Sequence, residues 1–141
     1  MGEEDERIGE IIYFLAPAIL SAAFVAVPLE NILSEFPFQY VFPWYPPWRG
    51  ALVSFIIWVT AGFVLSEKRE WSKLIFGGSA ASFTVFHYIS LIEVVMKGYA
   101  VAIYPFFYTV GESPLHVDLA QVILVLTAIA LKKDIARLLK H

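Results

Sequence analysis

The chain has 141 residues, 59% of them hydrophobic and 16% charged, with 10 basic and 13 acidic side chains, a net charge of −3 and a mean hydropathy of +0.69. Soluble domains average about 45–50% apolar and about 25% charged residues, so this composition speaks against a domain covered by water, and so slight a charge excludes a nucleic-acid footprint. No cysteine is present, which excludes disulfides, thiolate zinc sites, iron–sulfur ligation and cysteine nucleophiles.

Four apolar stretches, Ile11–Leu33, Gly50–Ser66, Leu74–Met96 and Leu115–Leu131, count 23, 17, 23 and 17 residues. A hydrocarbon core of ~30 Å takes about 20 helical residues, with a range of about 17–25. The expected fold is therefore all-α: one integral membrane domain over residues 1–141, a four-transmembrane-helix bundle with aromatic and proline-rich outer loops and no β-sheet.

The first stretch follows an acidic run, Glu3-Glu4-Asp5-Glu6, and lacks a basic n-region, so it reads as a span and not as a cleaved signal peptide. Pro17 and Pro28 each remove one helical hydrogen bond and predict kinks. The loop Phe36–Trp48, FPFQYVFPWYPPW, holds 7 aromatic and 4 proline residues among 13. Its prolines predict an irregular segment, and its rings suit the headgroup level. Two roles fit: a belt that seats the bundle, or a platform for an apolar ligand or partner.

The third stretch opens with two small-xxx-small pairs, Gly77/Ala81 and Gly78/Ser82, which let helix backbones approach closely. At 100° per residue, Ser79, Ser82, Ser90, Glu93 and Lys97 fall on one stripe with His87 at its flank, so this face is expected to look into the bundle. The loop Gly98–Ser113 is apolar and aromatic but too interrupted to span, and reads as surface-lying or partly re-entrant. Ser113-Pro114 predicts the N-cap and first residue of helix four. The tail Lys132–His141 reads as an amphipathic helix, with Ile135, Leu138 and Leu139 on one side and basic residues able to meet lipid headgroups.

With four spans, both termini share one side with Arg7, Lys68, Arg69, Lys73, Lys132, Lys133, Arg137 and Lys140, whereas only Arg49 and Lys97 lie opposite. This asymmetry predicts a multi-pass protein of the cell membrane with cytoplasmic termini.

Candidate functional residues are the ionisable groups inside the spans, since burying them in lipid is costly. Glu30, Glu93 and Asp118 each lie about one turn from the outer end of a span; Asn31, His116 and Gln121 are near the same level, and His87 lies about 9 Å deeper than Glu93 at helical rise. Asp118 and Gln121 are about 60° apart on helix four, so both could face Glu93. Glu93→Ala is then expected to cost more than Glu112→Ala. One reading is structural, with carboxylates reaching water, Asp118 at a positive helix end and Arg49 or Lys97 as counter-ions. The other is an outward-facing cation or proton site.

His87 and His116 differ in depth by about 12 Å, which argues against a shared haem, and His116 and Asp118 point to nearly opposite helix faces, which argues against chelation. Neither metal nor other cofactor is expected. No nucleophile–base spacing, phosphate loop or zinc-protease motif occurs, and no internal repeat suggests a transporter. No catalytic residue is therefore assigned. The sequence favours a non-catalytic accessory or scaffold subunit, or a homo-oligomer, whose partners are membrane lipid and membrane proteins. The alternative is a small transporter or ligand- or cation-binding protein using the polar cluster.

Overall fold

A computed structural model describes residues 2–26, 45–66, 68–112 and 114–140, so Pro28, Glu30, Asn31, loop residues 36–44 and Ser113 lie outside the described residues. In chain order the elements are α1 (Glu3–Ala26), α2 (Tyr45–Phe63), α3 (Glu70–Met96), β1 (Val101–Tyr104), β2 (Phe107–Val110), β3 (His116–Val117), α4 (Leu119–Ala130) and α5 (Lys132–Leu139). The chain is mostly helical, as its composition implies. By length and composition, α1 and α3 can cross a membrane. The polar start of α2, Tyr45-Pro46-Pro47-Trp48-Arg49, dilutes its apolar character, and α4, with 12 residues, reaches only about 18 Å.

Three local expectations need correction. Residues 45–48 form the first turn of α2 and are not irregular; prolines are accommodated there because the first helical amides have no intrahelical acceptor to lose. Helix α4 starts at Leu119 with Asp118 as its N-cap, while Pro114 precedes strand β3. The segment after α3 forms an antiparallel sheet in the order β1-β2-β3, against the expectation of no β-sheet. Val101 pairs with Val110 and Tyr104 with Phe107, and Tyr108 then pairs with His116.

Helix α3 packs against α1, α2 and α4 and is the hub of the bundle. Its contact with α1 is close: a Cβ on Gly78 would overlap the carbonyl oxygen of Phe14. Gly77 has room, with Leu131 Cδ1 at 3.6 Å from such a Cβ. The apolar core joins Ala51, Ala80, Phe83, Ala120 and Ile123, flanked by Phe55, Trp58, Phe86 and Tyr88. The Trp58 indole stacks on Phe76 at 5.3 Å, and its N–H donates to Thr127 Oγ1 at 2.9 Å, tying α2 to α4.

Candidate functional site

Mid-bundle, hydroxyls from three helices meet. Ser54 Oγ of α2 lies 2.6 Å from Ser21 Oγ of α1 and 2.7 Å from Ser82 Oγ of α3, and all three residues are buried. A hydroxyl both donates and accepts, so a row of them can satisfy itself without water. Ser79 and Ser90 are also buried but bond their own helix, to the carbonyls of Phe76 and His87.

At the end of the bundle where the sheet lies, Asp118 is 0% exposed. Its Oδ1 accepts the amides of Ala120 at 3.0 Å and Gln121 at 3.3 Å, the bonding expected of an N-cap. Its Oδ2 accepts the Tyr88 hydroxyl and the Gln121 side-chain amide, each at 2.8 Å. Every one of these donors is neutral. His87 Nε2 stands 3.4 Å from Oδ1, near enough to feel the charge, yet the nitrogen has no hydrogen-bond partner among the described residues. The imidazole is walled by rings, stacked on Phe83 at 5.8 Å and edge-on to Tyr88 and Tyr108 at 5.2 and 5.7 Å.

The β1–β2 hairpin is fastened to this cluster through its turn. Pro105 fixes the first central residue, and Phe106 takes φ +65°, a left-handed conformation that costs a non-glycine residue about 1–3 kcal/mol. Both backbone groups of Phe106 are held from α4: its amide donates to Gln121 Oε1 at 2.9 Å, and its carbonyl accepts the Asp118 amide at 2.8 Å. Gln121 Nε2 also donates to the Tyr104 carbonyl at 3.1 Å. One glutamine thus reads the turn and the carboxylate together. Burial raises the Tyr108 hydroxyl pKa above the usual phenol value, and the Asp118 charge adds to the shift.

Of the residues singled out from the sequence, His87, Asp118 and Gln121 come together. His116 is exposed on β3 and meets the cluster through Tyr108, its ladder partner, with the two rings 5.3 Å apart. Glu93 is half-buried, and among the described residues no hydrogen bond or ion pair joins it to Asp118. Lys97 is exposed just past α3, and Arg49 donates to the Val25 carbonyl at 2.8 Å. Glu30 and Asn31 fall outside the described residues. Ala81 is half-buried, whereas Ser82 joins the hydroxyl row.

Sequence reasoning missed Ser21, Ser54, Tyr88 and Tyr108. A serine inside an apolar run signals a hydroxyl that must find a partner, but not which partner. Neither a family model, nor a curated protein, nor a solved structure matches this chain.

Proposed function

We propose that this chain is a small multi-pass membrane protein that serves as a non-catalytic scaffold or accessory subunit, or as a homo-oligomer, with both termini on the cytoplasmic side. The observation that carries the reading is the extensive apolar surface the helices leave exposed around buried hydroxyls. Helix α1 buries Pro17 and Ser21 while Ile8, Ile11, Ile12, Leu15, Ile19 and Leu20 are exposed. Val85, Ile89 and Ile92 of α3 and Leu124, Leu126 and Ile129 of α4 are likewise exposed. Apolar outside and hydroxyl inside suits hydrocarbon as solvent. The side chains of Ser21, Ser54, Ser82, Asp118 and Gln121 bond other elements of the same chain, which supports a structural role for them.

Extraction tests the first half: the protein should stay with membranes at alkaline pH and need detergent for release, and recovery in the aqueous fraction would overturn it. An introduced cysteine at Glu70 should be shielded from an external reagent, and one at Gln39 should react. Native mass spectrometry of the protein purified from its own membranes tests the second half. A discrete homo-oligomer or fixed co-purifying subunit is expected, and a lone monomer would count against the scaffold role.

The His87 nitrogen beside Asp118, without a hydrogen-bond partner among the described residues, favours one other reading, an acid–base pair that takes up a proton or cation. Proton or cation flux in proteoliposomes that disappears in Asp118→Asn would support that reading over the first.

A further inference from the structure

We propose that α5 is a membrane-surface helix whose basic edge takes anionic lipid headgroups while its apolar edge enters the interface. The inference rests on the membrane reading above and adds a lipid class and a named segment to it. Helix α4 ends at Ala130, and the single cap residue Leu131, whose φ −103° and ψ 18° lie outside helical values, joins it to α5. At 100° per residue, Leu131, Ile135, Leu138 and Leu139 share an arc of about 100°; Lys133, Arg137 and Lys140 lie on the opposite side, and Lys132 borders the apolar arc. A strongly two-sided helix of low net hydrophobicity with basic residues on its polar face fits the interface plane and does not fit a span.

Three features of the fold place it there. Leu138 and Leu139 are 76% and 83% exposed, so the apolar edge is turned away from the bundle. Asp134, the one acid of α5, is drawn to α3, where Lys73 Nζ lies 3.1 Å away, and Arg137 Nη2 stands at 4.0 Å. The acid that would repel an anionic surface is thereby neutralised, and the same contact pins α5 to the first turn of α3. That turn carries the half-exposed indole of Trp71 and follows exposed Lys68 and Arg69, the residue types found at headgroup level. Charge complementarity then selects the occupant: a basic edge beside a free apolar edge matches a negatively charged lipid surface.

The acids of the first turn of α1, Glu3 to Glu6, oppose such a preference, so the test isolates α5. The cysteine-free chain permits single probes. L138C and, separately, I19C on α1 are labelled with an environment-sensitive fluorophore and reconstituted in vesicles of phosphatidylcholine alone or with about 30% phosphatidylserine, each carrying a lipid-borne quencher. Quenching at L138C should rise several-fold in the anionic vesicles, on the scale of roughly fivefold in partitioning per basic residue. The Lys132→Gln/Lys133→Gln/Lys140→Gln variant should lose that rise, and I19C should be quenched equally in both. A water-exposed probe at L138C in both vesicles, or equal quenching in both, overturns the proposal while quenching at I19C leaves the membrane reading standing. A water-exposed I19C overturns the membrane reading itself.

Discussion

In the middle of the bundle, Ser21, Ser54 and Ser82 pass hydrogen bonds across three helices. At the hairpin end, Asp118 collects four from Tyr88, Gln121 and two amides of its own helix. The mid-bundle groups are small and can both donate and accept, so they bring helices close and close the hydrogen-bond account among themselves. A carboxylate only accepts, and burying one therefore demands converging donors, which here come from a helix N-terminus, a phenol and an amide. The contrast teaches that small hydroxyls can tie helices along their length, whereas the fully buried carboxylate of Asp118 lies at a helix end beside a supporting hairpin.

Breaking the mid-bundle contact should have the largest effect. Gly78→Ala sets a methyl into the Phe14 carbonyl, a backbone group that cannot step aside, and should cost about 3 kcal/mol or more. Gly77→Ala one residue away meets only ordinary contacts and should be neutral or stabilising by about 0.5–1 kcal/mol through helix propensity. Thermal unfolding in detergent compares the two, and equal effects would contradict the close α1–α3 approach. At the hairpin end, Asp118→Ala removes the α4 cap and strands two side-chain donors, for an expected loss of roughly 2–3 kcal/mol. Hydrogen exchange should quicken in residues 101–110 before it does in α3.

Ser54→Ala interrupts the hydroxyl row at its centre and should cost about 1 kcal/mol, given that interhelical bonds in membrane proteins average about 0.6 kcal/mol. A smaller effect is expected from Tyr108. Its pKa is raised in the folded protein by burial and then by Asp118, so its neutral phenol stabilises the fold below the ordinary value of 10.0. That contribution is lost as pH rises through the folded pKa. Wild type should therefore lose stability in alkali more steeply than Tyr108→Phe, and superimposable pH profiles would remove Tyr108 from the cluster. Glu93→Ala should be the mildest, within about 0.5 kcal/mol and no worse than Glu112→Ala, which revises the ranking drawn from the sequence. A larger loss would reveal a partner for Glu93 from a segment outside the described residues.

Apolar run length and periodicity, which are local, were enough to mark the helical stretches, the amphipathic tail from Lys132 and the buried serine face of α3 at Ser79, Ser82 and Ser90. The same signals made Gly77 and Gly78 look equivalent and placed the start of helix four at Ser113-Pro114. What tertiary structure decided depends on partners far away in the chain. Residues 101–110 become a hairpin because Gln121 and Asp118 hold a left-handed Phe106 from another element. Asp118 caps α4 and pairs with Tyr88, 30 residues earlier. Gly78 rather than Gly77 is the glycine of close backbone contact because Phe14 arrives on that side. A side chain's need for a partner is written in its own chemistry, so the sequence reveals the need. Which group meets it is set by the packing of separate helices, and that only the fold supplies.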